Sequence, residues 1–473
     1  MPFRIKLFVT LCACAAAGAA SAHPAEQALV LLLPTDLYTF GGTAAVAASI
    51  LLTGLLSGAR LRGVFTPAVL GSLRAKGSLQ TGTSLLSTAA LLGLIYIGAF
   101  GPRDPQANLL PLVIWTGWWI GVFALQGLVA DVWAWINPWT GLARLMNPKG
   151  APVLTLPDRW RAWPAVLVFA AFHIFLLADI APSDPGRLAR IVLSYWLVTL
   201  IGTSLFGRDV WLTRVECFSV LFALIGLLRC VALDRDSGQI KAGVPGWAAI
   251  GARMDVSRAV FCLMILISGS FDGLKETFWW LGQIGVNPLE FPGRSAVVAP
   301  SVLGLLGANL GLISVYALCV AVGLWCLRRF GTPQHAMKPP RFSSAFCIFA
   351  LSILPLALGY HIAHYPVSFL VQSQYLAATL GDPLARGANL LGLSGMRVTT
   401  GFLNTPDTVR LILLTNVGAV VTSHIVSVLM AHTLAGTLVT GRRNLVLIQI
   451  GLSALMIAYT LFGLWLLSTP RGA

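Results

Sequence analysis

Apolar stretches of about twenty residues recur along the whole chain, each closed by a short polar interval. That is the period of helices crossing a bilayer, since a hydrocarbon core about 30 Å thick takes some 20 residues at 1.5 Å each. By this rule the sequence predicts spans near 37–57, 81–100, 109–130, 163–180, 189–206, 257–280, 298–327, 343–378, 408–436 and 444–467. A further apolar run, 217–233, is long enough to cross as well. If it crosses, the loop holding Arg328, Arg329, Lys338 and Arg341 falls outside, against the preference of basic residues for the cytoplasmic side.

The N-terminus reads as a signal peptide. Arg4 and Lys6 precede an apolar stretch from Leu7 to Ala19, and Ala20-Ser21-Ala22 supplies the small residues of a cleavage site. Residues 1–22 are then removed, and 23–473 form one membrane-embedded helical domain that begins outside the cytoplasm at His23. With ten crossings, the cytoplasmic loops carry 21 Lys and Arg and the external segments 8, the remainder being Arg4, Lys6 and Lys275. The predicted fold is therefore an all-α polytopic transmembrane helix bundle of about ten spans, with 217–233 as a cytoplasmic interfacial or re-entrant helix. The predicted location is a bacterial inner membrane. Two short echoes, Asp131-Val132-Trp133 and Asp209-Val210-Trp211, read as helices entering at the inner interface, where Trp133, Trp135, Trp139, Trp160 and Trp163 crowd as an aromatic belt does. Asp131, Arg208, Asp209 and Glu216 lie at the same level, where carboxylates ordinarily cap the next helix.

Composition sharpens this. Of 473 residues 57% are hydrophobic and 10% charged, with mean hydropathy +0.81, against roughly 25% charged in a soluble domain. Soluble enzymes and nucleic-acid modules are excluded, and the net charge of +15 reads as membrane topology rather than as a nucleic-acid partner. Removal of the leader takes Cys12 and Cys14. Cys217, Cys230, Cys262, Cys319, Cys326 and Cys347 remain in apolar segments with no CxxC pair, so they read as buried thiols. No phosphate-binding loop, G-x-S-x-G elbow or H-E-x-x-H pair occurs. Any chemistry comes from dispersed residues.

Ionisable groups within hydrocarbon cost several kcal/mol and mark function. His361 and His364 sit one helical turn apart on one face, bracketed by Pro355 and Pro366, with Gln372 and Gln374 continuing outward. His424 lies near the middle of the next span, beside Asn416 and Thr422, with His432 two turns further on. Asp272, Lys275 and Glu276 stand at i, i+3 and i+4, and His173 is central in its own span. Two or three imidazoles plus a carboxylate are the ligand set of a catalytic zinc or similar divalent ion, which acidifies bound water. On that reading His361, His364 and His424 are the metal ligands and Asp272 or Glu276 a further ligand or base. His432, His173 and Gln372 are secondary candidates. His23, once exposed by cleavage, offers its amine and imidazole to copper.

The stretches Asp131-Val-Trp-Ala-Trp-Ile-Asn-Pro-Trp, Leu205-Phe-Gly-Arg-Asp-Val-Trp-Leu, Glu216-Cys-Phe-Ser-Val-Leu-Phe, Phe271-Asp-Gly-Leu, His361-Ile-Ala-His-Tyr, and Ser423-His424 through Ala431-His432 follow in order over roughly residues 120–435. As a set they resemble a bacterial membrane-protein family known as fenitrothion hydrolases. The resemblance implies hydrolysis of organophosphorus triesters, cleaving an aryl P–O bond to release a nitrophenol from a small apolar substrate that enters from the membrane or periplasm. The alternative is a multi-span transporter in which the same His and Asp groups carry protons or a metal ion.

Overall fold

The computed structural model describes residue 30 and residues 33–470, apart from 57, 74–76, 149, 235–236, 288–289, 291–292, 334–339 and 394–395. The signal-peptide assignment and His23 lie outside the described residues. In chain order the elements are α1 (Thr35–Gly54), α2 (Gly58–Val64), β1 (Ala68–Ser72), α3 (Gly77–Phe100), α4 (Leu109–Leu128), α5 (Trp133–Ile136), α6 (Thr140–Met146), α7 (Trp163–Ala178), α8 (Pro185–Phe206), α9 (Arg208–Arg214), α10 (Cys217–Leu228), β2 (Val231–Leu233), β3 (Gln239–Ala242), α11 (Val256–Lys275), α12 (Phe278–Gln283), α13 (Val298–Phe330), α14 (Phe342–His364), α15 (Pro366–Gly381), α16 (Pro406–Ala435) and α17 (Arg442–Ser468).

Among the described residues nine helices are long and apolar enough to cross a membrane: α1, α3, α4, α8, α11, α13 (with the turn before it), α14, α16 and α17. The shorter α7 is the tenth crossing. Its first residues and those of α11 meet where the Ala162 N–H donates to Ser257 Oγ at 2.9 Å. Its far end meets the start of α13 where Arg294 Nε donates to the Asp179 carbonyl at 2.8 Å. The other termini alternate in the same sense. Thr332 bonds Asn444 and Arg442 bonds Gly54 on the first face, whereas Phe278 bonds Pro470 on the second.

The run after Glu216 does not cross. β1 pairs antiparallel with β3, and β3 with β2, in one sheet of order β1-β3-β2. Between β1 and Arg208 the chain crosses by α3, α4, α7 and α8, so it is back on the face where β1 lies, and β2 and β3 are on that face too. What lies between must return. α9 climbs along α8 until Tyr195 Oη, at mid-length of α8, donates to Glu216 Oε1 at 2.6 Å. The chain then bends by 71°, and α10 descends beside α4 to the place where Cys230 and Val231 N–H groups donate to the carbonyls of Leu128 and Val129. Glu216 makes the bend possible by accepting from the Phe218 and Ser219 N–H groups at 2.8 and 2.6 Å, satisfying donors that would otherwise start a helix unpaired in an apolar interior. The structure thus selects the re-entrant form of the predicted eleventh segment.

Two predicted spans are shorter than their apolar runs. The run 343–378 is broken at Tyr365, because Pro366 has no N–H and disfavours helical geometry in the residue before it, leaving Tyr365 at φ −106°, ψ 5°. The run 257–280 stops at Lys275, after which Thr277 Oγ1 caps α12 by accepting from the Trp280 N–H at 3.1 Å. α4 contains an eleven-residue π-helical stretch, Leu112–Val122. α15 runs along it, with Phe369 against Gly121 and Leu376 against Gly117.

Without a hydrophobic force between helices in lipid, close backbone contact carries the packing. α13 and α17 use it reciprocally: a Cβ on Gly323 would stand 2.1 Å from the Ile448 carbonyl oxygen, and one on Gly451 2.2 Å from that of Cys319. α10, α11 and α14 are buried on nearly every side and form the centre.

Candidate functional site

Three local features bring the site together at mid-length of α4. The Pro366 break places His364 and Tyr365 at a helix end, where both side chains reach α11. The early stop of α11 puts Asp272 one turn from its terminus. The π-helical stretch presents Trp119 inward.

Asp272 is the hub. Its Oδ2 accepts from Tyr365 Oη at 2.8 Å and lies 3.1 Å from His364 Nε2, and its Oδ1 lies 3.3 Å from Lys275 Nζ. Tyr365 Oη in turn accepts from Trp119 Nε1 at 3.2 Å. Lys275 also reaches Glu276 at 3.4 Å, and the Glu276 side chain, 41% exposed, is the open edge of a cluster otherwise 12–15% exposed. His361 lies behind, its ring 4.1 Å from Phe123 and 5.5 Å from Trp119, and its Nε2 is buried without a hydrogen-bond partner. His173 completes this side; its Nδ1 is held by the Phe169 carbonyl at 3.1 Å.

His173, His361, His364, Asp272, Tyr365 and Ser268 line a void of about 20 Å³. That is room for a water, and short of the roughly 300 Å³ or more in which a drug-sized ligand sits. A second void of about 20 Å³ lies on the other side of His364, lined by Ser270, Gly273, Tyr360, Val420 and Gly463. His364, Tyr360 and Gly269 line both voids.

The other predicted residues are elsewhere. His424 is fully buried, its Nδ1 on the Val420 carbonyl at 2.8 Å and its ring 6.0 Å from Tyr360; it lines neither void. His432 ties three helix ends together, through Leu56 O at 3.3 Å and Gln449 Nε2 at 3.2 Å. Gln372 is half-buried on α15 and lines neither void. Tyr365, Trp119 and Ser268 were not expected. Tyr365 had a signal, since it directly follows the histidine pair and precedes the proline that frees it.

The expected metal ligand set is not gathered: among the described residues no three His, Cys, Asp or Glu side chains are grouped to hold an ion. Both Asp272 oxygens are already engaged, one of them by an ammonium that would repel a second cation. The arrangement suits proton exchange instead. A carboxylate shared by an imidazole, a phenol and an ammonium can take or give a proton at His364 with its charge balanced on the spot. No family model, no curated protein and no solved structure matches the chain.

Proposed function

We propose that the protein is a multi-span membrane carrier that moves protons, with the Asp272–His364 pair as the holding site. The observation that carries this reading is Asp272 Oδ2 meeting both His364 Nε2 and Tyr365 Oη inside the bundle, beside a void of water size. Charged groups at such depth are costly and face ion or proton pathways. A proton arriving past Glu276 binds the His364 imidazole, whose charge Asp272 balances while Lys275 leans on both carboxylates. Departure of that proton restores the starting state. Nothing is consumed, so a transmembrane proton gradient is the driver. The membrane is a bacterial inner membrane and the sheet-bearing face the cytoplasmic one, a choice supported by the basic residues gathered in the loops of that face.

The test is an acid pulse outside sealed liposomes containing the purified protein and an internal pH dye. Wild type acidifies the lumen, and Asp272→Asn and His364→Gln fall to the rate of empty liposomes. A folded wild type no faster than empty liposomes overturns the proposal.

A second reading, hydrolysis of organophosphorus triesters as the family resemblance implies, is supported by the same dyad, because an imidazole held by a carboxylate next to a water site is a general-base pair. His364 would take the proton of a water whose oxygen attacks phosphorus as the aryloxide leaves, with Asp272 steadying the imidazolium. A triester does not fit a void of about 20 Å³, so this reading requires the Tyr365–Pro366 break to open. Nitrophenol release by purified protein, lost in Asp272→Asn, supports it; none at millimolar triester removes it.

A further inference from the structure

Charge is unevenly distributed over the sheet face. Around α7, α9, β3 and α11 four carboxylates each have a base of their own: Asp158 with Arg214 at 2.9 Å, Asp209 with Arg208 at 2.9 Å, Asp234 with Lys241 at 2.6 Å and Asp255 with Arg258 at 2.7 Å. Another corner of that face has no carboxylate to offer. It is built from the ends of α1 and α13, from α2 and from the start of α17, and the sequence contains no Asp or Glu in 37–103, 291–381 or 408–473. Here Arg60 and Arg62 of α2, Arg328 and Arg329 of α13, and Arg442 and Arg443 of α17 are all exposed.

Contacts gather these helix ends. Arg62 Nη2 donates to the Gly436 carbonyl, just past α16, at 3.4 Å, and Arg442 Nε donates to the Gly54 carbonyl at 2.8 Å, with neither Arg442 Nη bonded within the described residues. Gly58 packs on Gly436 and Leu445, and Asn444 exchanges hydrogen bonds of 2.8 and 3.1 Å with Thr332, two residues past α13. We propose that this patch binds an anionic phospholipid by its phosphate, a reading independent of the proton-carrier one. The preference of basic residues for one side of a membrane accounts for their number on this face. It does not account for three long stretches free of carboxylates. Six guanidiniums gathered at one corner repel one another, so their counter-charge comes from outside the chain. The planar forks match phosphate oxygens in pairs. In the adjoining turns Leu51 and Leu55 of α1 and Val446 and Ile450 of α17 are exposed, an apolar wall for the acyl chains. Basic residues above such a wall at the end of a span are the chemistry that holds anionic head groups.

The test titrates cardiolipin against the full chain in phosphatidylcholine nanodiscs and counts retained lipid by native mass spectrometry. Wild type is expected to hold cardiolipin more than about tenfold in preference to phosphatidylcholine, and Arg62→Gln/Arg443→Gln to lose about thirtyfold in affinity. Arg60→Gln/Arg443→Gln, which removes no hydrogen bond made within the described residues, is expected to lose as much with its melting in phosphatidylcholine alone unchanged. It decides the matter if the first variant does not fold. Arg159→Gln/Arg161→Gln removes equal charge from exposed positions just before α7 on the same face, and is expected to bind as wild type does. Cardiolipin held equally by wild type and Arg60→Gln/Arg443→Gln overturns the proposal, as does an equal loss in the Arg159→Gln/Arg161→Gln control. Displacement of the lipid by inorganic phosphate, at an ionic strength where chloride leaves it bound, makes this a free-anion site and overturns the lipid assignment. A lipid-free dimer that needs these arginines overturns it in favour of a second copy of the chain.

Discussion

Gly323 and Gly451 offer the sharpest quantitative test of the packing. A Cβ at Gly323 would stand 2.1 Å from the Ile448 carbonyl oxygen, where 3.0 Å is the least that real side chains show, so α13 and α17 must separate by nearly 1 Å. Neither partner is a side chain that can rotate away. A gap of that size forfeits a quarter to a half of each contact along the seam, and overpacking of this kind costs about 1–3 kcal/mol. The better helix propensity of Ala returns up to about 1 kcal/mol, leaving Gly323→Ala roughly 1–2 kcal/mol destabilised. Gly311, on the same helix with nothing within 4 Å of its Cβ position, is the control, and Gly311→Ala is expected to be neutral or slightly stabilising. One separation relieves both clashes, so the Gly323→Ala/Gly451→Ala double variant should lose less than the sum of the singles, by about 0.5 kcal/mol or more. Reversible denaturant unfolding in micelles, followed by tryptophan fluorescence, measures all four. Equal stability of Gly323→Ala and Gly311→Ala, or strict additivity, would refute the reasoning.

Tyr365→Phe removes the hydroxyl between Trp119 and Asp272 and should cost about 1–3 kcal/mol in the same assay while slowing lumen acidification; unchanged values in both would place the phenol outside the network. Glu216→Gln exchanges one acceptor at the re-entrant bend for a donor facing N–H groups, and a loss of about 1–2 kcal/mol is expected, with a neutral result telling against the capping role. On the sheet face the hydrogen bond from Lys241 lowers the Asp234 pKa to about 2. That contact is therefore at full strength above about pH 4 and is lost as the pH falls through about 2. A carboxyl carbon titration should show this midpoint, moving up in Lys241→Ala, and a wild-type midpoint near the ordinary value of 3.8 would contradict it. Metal analysis of purified protein should find less than one bound ion per chain and no effect of chelator on flux. One ion per chain, lost in His361→Ala together with the flux, would overturn the proton-carrier reading in favour of the metal site expected from the sequence.

Hydropathy alone located the spans, because the bilayer thickness sets their length whatever their partners. It also put His361 and His364 on one face and marked Asp272 and Lys275 as an interacting pair. It could not see the stop at Tyr365, since a proline inside an apolar run leaves the mean hydropathy almost unchanged while removing the hydrogen bond that continues the helix. The hub was harder still. Asp272 and Tyr365 are 93 positions apart, and periodicity tells which side of a helix is inward but not which helix it meets. For the same reason His424, expected beside the histidine pair, proves to face Tyr360. His432, similar in sequence terms, is spent on Gln449 and Leu56.

The β1–β3 pairing also bears on how the chain enters its membrane. The apolar run 217–233 is long enough to be threaded across as a span by an insertion machinery that reads each segment as it emerges. A mistake there would invert every later helix. β3 finds its partner only when both strands are on the same side, and that partner, β1, follows the first span and precedes the second. The small sheet is thus compatible with the returned hairpin alone: its three strands pair only when the chain on both sides of the hairpin lies on one face.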